Sequence, residues 1–245
     1  EVCQRVIDVV LGVLGQALPE RAYAGPMGTV TNLSVGGEDP ESGYYVLYSF
    51  IGGGYGGNFE TDGLINGNPT LAVARTQALE IFEARYPVLF RQYSIREESG
   101  GAGMRRGGLG VVFEFEIRRG EASASLLGDR GRFAPFGVHG GKPAQVANHR
   151  FILQGASYRP EHLSKDEGVH MQSGDILRLE TPGGGGYGSP FDRNVDEVLE
   201  DVRRGYYGRE VAESEYGVVI REGEWEIDEA ATAALKSGRN EEESS

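Results

Sequence analysis

Residues 44–57 read Tyr44-Tyr45-Val46-Leu47-Tyr48-Ser49-Phe50-Ile51-Gly52-Gly53-Gly54-Tyr55-Gly56-Gly57. A strand-forming run of aromatic and branched residues empties straight into glycine. The order recurs at 175–188, where Asp175 to Glu180 leads into Thr181-Pro182-Gly183-Gly184-Gly185-Gly186-Tyr187-Gly188. Glycine loses the most backbone entropy on ordering, so such a cluster stays loose unless its site requires it. A strand ending this way implies backbone shaped for φ > 0 turns, or for close approach to a ligand or another chain. Glycine makes up 39 of 245 residues, about twice ordinary usage. With no collagen period, the excess is loop chemistry inside a folded domain.

Outward from these clusters the pattern is α+β: a β-rich mixed sheet core with glycine-rich loops, an N-terminal helix and C-terminal helices. Residues 2–18 set Val6, Ile7, Val10, Val13, Leu14 and Leu18 on a helical stripe closed by Pro19. Thr29–Val35 and Tyr44–Ile51 predict a hairpin whose turn includes Gly36-Gly37-Glu38-Asp39-Pro40. Residues 52–70 read as a long loop, and 74–85 as a helix turning Ala78, Leu79 and Phe82 inward. Phe90–Arg96, Val111–Arg118, Ala122–Leu127, Arg150–Leu153 and Asp175–Glu180 predict strands. Phe113-Glu114-Phe115-Glu116-Ile117 alternates with period two, which predicts one wet face. Asn194 opens a helix carrying Val195, Val198, Leu199 and Val202 and ending at Gly205; a second runs from Glu210 to Tyr216 with Gly217 as its cap. Residues 1–236 read as one domain, and 237–245 as a disordered polar tail. The chain opens on Glu1 within a helical pattern, as a piece of something longer would.

A net charge of −13 argues against a nucleic-acid partner, which needs a basic face. The lone cysteine, Cys3, excludes a disulfide framework and a cysteine-rich zinc site, and fits a reducing cytoplasm. The longest apolar stretch, near Val9–Leu14, is too short for a membrane span.

Both glycine clusters formally satisfy G-x-G-x-x-G, but neither opens a helix whose N-terminus could hold a pyrophosphate. No Walker A sequence and no G-x-S-x-G elbow is present. His139, His149, His162 and His170 are scattered without ligand-pair spacing, so no metal site is expected from this chain. What remains is basic. Arg105 and Arg106 lie in the glycine loop at 99–110, and Asp129, Arg130 and Arg132 in that at 128–144. These arginines suit a carboxylate clamp or a partner-subunit contact; equally, they can pin the loops by pairing with nearby carboxylates. Asp62, beside the first cluster, reads as a general base or as a plain turn aspartate. Gly53, Gly54 and Gly56 join the candidate binding surface.

Taken in order, the motifs IGGGYGG (51–57) with Asp62-Gly63, YPVLFRQYSIREESGGAGMRRGGLG (86–110), GDRGRFAPFGVHGGKP (128–143) and TPGGGGYGSP (181–190) resemble the hydantoinase B/oxoprolinase family, collinearly from about residue 1 to 220. The resemblance implies a subunit or fragment of an ATP-dependent cyclic-amide hydrolase of the hydantoinase or 5-oxoprolinase type, working with a hydantoinase A-type partner of actin-like ATPase fold. Related members are ATP-dependent ketone carboxylases acting on acetone or acetophenone, which is the alternative. In both, phosphorylation activates a poor amide or ketone oxygen. B-type members are usually about twice this long and carry their metal-ligating residues in the N-terminal half. The resemblance therefore places ATP and a divalent metal in the partner chain or that half, and makes both the partners of this chain. A third reading gives the chain only an assembly role.

Overall fold

The computed structural model describes residues 2–67 and 76–242. Two antiparallel sheets carry the fold. The first has four strands, β1 (Thr31–Asp39), β2 (Gly43–Ile51), β5 (Glu121–Leu127) and β8 (Lys165–Gln172), in the order β2-β1-β5-β8. The second has five, β3 (Val88–Ile95), β4 (Val111–Ile117), β6 (Asn148–Leu153), β7 (Ala156–Tyr158) and β9 (Ile176–Glu180), in the order β3-β4-β9-β6-β7. The α+β class holds. The expected mixed sheet is refined, since every ladder between these strands is antiparallel.

The inner faces meet in one apolar cluster. Leu33, Val35, Leu47, Ile51, Ala124 and Met171 come from the first sheet, and Val111, Phe113, Phe115, Phe151, Leu177 and Leu179 from the second. Helix α2 (Leu79–Arg85) caps it with Phe82. This helix is shorter than expected: 76–78 are non-helical, and 74–75, like 68–70 of the expected loop, lie outside the described residues. Period two on β4 keeps Phe113, Phe115 and Ile117 inward. On the other face Glu114 pairs with Arg178, its cross-strand neighbour on β9, at 2.7 Å, and Glu116 with Arg91 of β3.

Other elements also depart from the sequence reading. Strand β1 runs through Gly36 and Gly37, leaving only Pro40, Glu41 and Ser42 as the hairpin turn. Gly37 is needed there because a side chain would overlap the Glu121 carbonyl of β5. Strand β8 has no apolar alternation, since it is a polar edge strand interrupted by a bulge, with Gly168 at φ +69°. Helix α5 (Glu229–Glu242) takes in 237–242, expected to be disordered; Asp228 caps it by accepting from the Ala231 N–H at 3.0 Å. Positions 243–245 of that tail lie outside the described residues.

Helix α1 (Val2–Ala17) forms as expected. Helices α3 (Val195–Arg203) and α4 (Arg209–Tyr216) build a second small core from Val198, Val202, Tyr207, Ala212, Tyr216 and Val218. Asn194 caps α3 through the Asp196 N–H, and Gly205 and Gly217 supply the left-handed residues that end the two helices.

His149, on the inner face of β6, is fully buried and neither ring nitrogen has a hydrogen-bond partner. Burial, helped by the Arg96 charge, pushes its pKa down to about 3 from an ordinary 6.5. The unfolded chain therefore binds a proton that the folded one refuses. Stability is full above about pH 6.5 and falls by up to about 1.4 kcal/mol per pH unit as pH drops towards 3. We expect urea unfolding of the wild type to lose about 2–3 kcal/mol between pH 7 and pH 4.5 through this residue. His149→Leu should remove that slope; an unchanged slope in the variant would contradict the assignment.

Candidate functional site

The two glycine clusters converge. Backbone from residues 24–27, 53–57, 100–108, 136–142 and 182–188 packs side by side. The Gly57 N–H donates to the Gly185 carbonyl (2.9 Å), Gly185 to Gly25 (2.8 Å), and Gly25 to Phe136 (2.7 Å). Gly108 donates to Tyr55 (2.8 Å), Gly184 to Gly108 (2.9 Å), and Gly101 to Gly184 (2.8 Å). The 183–186 segment is thus bonded to neighbours on several sides, whereas a β-strand has two. It is a three-dimensional lattice of extended backbone. None of the glycines in 52–57 or 183–186 has positive φ, so the left-handed turns that the sequence suggested are not formed there. Glycine is required because a side chain would strike another segment: on Gly56 the Ala24 carbonyl, on Gly184 the Tyr55 carbonyl, on Gly107 the Gly184 carbonyl. Gly53, Gly54 and Gly56 are buried in this lattice and face protein backbone instead of an open binding surface.

Asp62 leaves the lattice beside a buried ion network. Arg193, at the foot of α3, donates from Nη1 to Asp62 Oδ1 (2.8 Å) and from Nη2 to both Asp62 Oδ2 and Asp201 Oδ2 (2.8 Å each). The Arg106 N–H donates to Asp62 Oδ1 (2.9 Å), and Arg106 Nε to Asp201 Oδ2 (3.1 Å). The Tyr207 hydroxyl adds a third donor to Asp201 (3.2 Å). Arg105 pairs with Glu197 at 3.3 Å. Burial pushes the Asp62 carboxyl up, but the Arg193 hydrogen bonds and the charges of Arg193 and Arg106 outweigh it and hold it below its ordinary value. A carboxylate so committed is a weak proton acceptor, so the geometry suits Asp62 to an ion-pair anchor and not to general-base work. The Tyr207 hydroxyl is held well above its usual range by burial and the neighbouring Tyr216 and Asp201.

Asp129, Arg130 and Arg132 form a separate group. They line a pocket of about 640 Å³ with Arg5, Lys165 and His162. Asp129 accepts from the Thr29 hydroxyl (2.8 Å) and pairs with Arg5 (3.5 Å) and Lys165 (3.6 Å). Burial opposes its charged form, but the Thr29 hydrogen bond and these cations keep its carboxyl below the ordinary value. Arg130 pairs with Asp8 of α1 at 3.4 Å and sits in the left-handed region at φ +59°. Asp8 also takes Arg5 at 2.8 Å, yet burial raises its pKa. Arg132 is exposed, its guanidinium 5.9 Å from the Phe133 ring. The two arginine loops therefore join no common site: one pins α3 to the lattice, and the other ties α1 to the β5 end of the first sheet.

Sequence reasoning missed Arg193, Asp201, Asp8 and Arg5, which complete these networks. A signal existed for Asp201, a carboxylate one turn from Val198 on the apolar face of its helix, but none for Asp8, which lies opposite the apolar stripe of α1. For the metal that the family resemblance implies, the donors here do not fit. His149 stands alone in the core, and among the described residues no group of three or more His, Cys, Asp or Glu side chains is placed to hold an ion. No described helix is long and apolar enough to cross a membrane.

Comparison with known proteins agrees with this architecture. The family model for hydantoinase B/oxoprolinase matches residues 1–190. Caprolactamase subunit beta of Pseudomonas jessenii is 33% identical over 243 residues, covering 96% of this chain and 41% of the relative. The crystal structure of that ATP-dependent caprolactamase superposes with a TM-score of 0.76 at 30% identity, over 91% of this chain and 40% of the other. The 5-oxoprolinase 1 of Arabidopsis thaliana is 38% identical over 192 residues, 76% of this chain and 14% of the relative. A nucleotide-free acetone carboxylase structure gives a TM-score of 0.77 over 94% of this chain and 35% of that one; at 23% identity the likeness shows a shared fold. The chain spans less than half the length of these relatives. It belongs to the hydantoinase B/oxoprolinase family.

Proposed function

We propose that this chain is part of the B-type subunit of an ATP-dependent cyclic-amide hydrolase, of the hydantoinase or 5-oxoprolinase type, acting in a reducing cytoplasm. The carrying observation is the 33% identity to caprolactamase subunit beta over 96% of the chain, in the same fold. Likeness to acetone carboxylase stops at the fold. In this reading ATP sits on an A-type ATPase partner, and a divalent metal on that partner or on the remainder of the B-type subunit.

What this chain supplies is rigidity. The glycine lattice packs backbone against backbone with no room for a Cβ, and the Asp62–Arg193–Asp201 network ties α3 to it. Both suit a scaffold that holds catalytic groups of other segments in register, since catalysis by positioning tolerates little displacement. The test is phosphate release by the assembled complex with 5-oxoproline, hydantoin or acetophenone, with and without bicarbonate. We expect turnover with a cyclic amide independent of bicarbonate. Turnover with acetophenone only when bicarbonate is present would move the assignment to the ketone carboxylases.

A further inference from the structure

Helix α1 is amphipathic the wrong way round. Its ionisable side chains, Arg5 and Asp8, point towards the domain, where they meet Asp129 and Arg130. Gly12 and Gly15 let the helix lie close to Phe136 and Ala22. The opposite face carries no charge. Val2, Val6, Val9 and Val13 follow one another at spacings of four, three and four, with Val10 and Leu14 alongside. Val6 is 55% exposed, Val9 65% and Val13 60%.

A helix face open to water is normally polar, and a contiguous apolar seam marks a surface that another element covers. The 4-3-4 spacing is that of a seam between packed helices. A lipid surface fits poorly, because interfacial helices carry a basic polar face and here the only basic residue is turned inward. The family match includes this helix from residue 1, so it belongs to the shared body of the fold. The relatives meanwhile carry more than half of their length outside the matched stretch.

We infer that the Val2–Leu14 face of α1 is the docking seam for a helix from the remaining portion of the B-type subunit. The inference rests on the proposal above that this chain is part of a B-type subunit. The covering element is apolar at helical spacing, and its arrival buries the valines and shields Cys3, which is exposed on the same helix.

The test co-expresses this chain with the polypeptide from its own source that corresponds to the uncovered part of caprolactamase subunit beta. It compares wild type with Val6→Glu/Val13→Glu, each checked for folding by circular dichroism. Both substitutions lie at exposed positions, so the domain should stay folded. We expect the wild type to co-elute with the polypeptide and Cys3 to become resistant to maleimide. The double variant should bind roughly tenfold or more weakly. Equal binding by the double variant overturns the seam while leaving the B-type-subunit reading intact. A wild-type homodimer that the variant dissolves, with no hetero-complex, makes the seam a self-interface and overturns the inference. Absence of any complex or dimer overturns both.

Discussion

Gly54→Ala should abolish folding, or lower stability by more than about 4 kcal/mol, far beyond an ordinary core substitution. A methyl group there overlaps the Gly108 carbonyl oxygen and the Gly184 amide nitrogen, both backbone atoms of other segments. A side chain could swing away; these cannot, because the Gly54 N–H donates to Pro182 (3.0 Å), the Met27 N–H to the Gly54 carbonyl (2.8 Å) and the Gly184 N–H to Gly108 (2.9 Å). Moving one segment breaks bonds in at least two others. Gly36→Ala is the matched control. Its nearest neighbour, the Tyr45 carbonyl oxygen, lies at ordinary contact distance, 3.6 Å, so stability should change by less than about 1 kcal/mol. Urea denaturation with near- and far-ultraviolet circular dichroism reads both. Equal effects from the two substitutions would show that the lattice is slack.

Arg193→Ala should cost about 3–5 kcal/mol, the range for removing one partner from a buried ionic group. The Arg193 side chain is 2% exposed and Asp201 7%, so deletion strands Asp201 on Arg106 and Tyr207 alone and takes from Asp62 both of its side-chain hydrogen bonds. Arg193→Lys should recover only part of the loss, since an ammonium cannot span the two carboxylates as the guanidinium fork does. The acid limb carries the same signature. The Asp62 carboxyl is held below its unfolded value, so its stabilisation is present above about pH 4 and is lost as pH falls through the folded value. In Arg193→Ala the uncompensated burial should raise that carboxyl and move acid unfolding to higher pH. A variant that melts with the wild type at pH 7 and unfolds at the same acid pH would refute this network's part in holding α3.

Local order was largely legible. The aromatic and branched run of β2, the period-two run on β4, the Asn194 cap and the glycines at 205 and 217 are signals written within a few residues, and the elements stand within one or two positions of them. Strand β8 was not legible, because a polar edge strand with a bulge leaves no periodicity. Helix α1 was legible as a helix but not in its orientation: Val6, Val10, Val13, Leu14 and Leu18 of its apolar stripe are exposed. Of the candidate site residues, Arg105, Arg106, Asp129 and Arg130 each pair with carboxylates or cations that the sequence spacing does not reveal.

By itself the sequence determined the class of the fold, its family and the presence of glycine runs where strands end, because propensity, capping and motif order are local properties of the chain. Only the tertiary structure decided what those glycines are for. Their neighbours come from segments as far apart in the chain as Gly25 and Gly185, and whether a missing Cβ serves a ligand or another stretch of backbone depends on which atoms occupy that space. Here the occupants are the carbonyls of the chain itself.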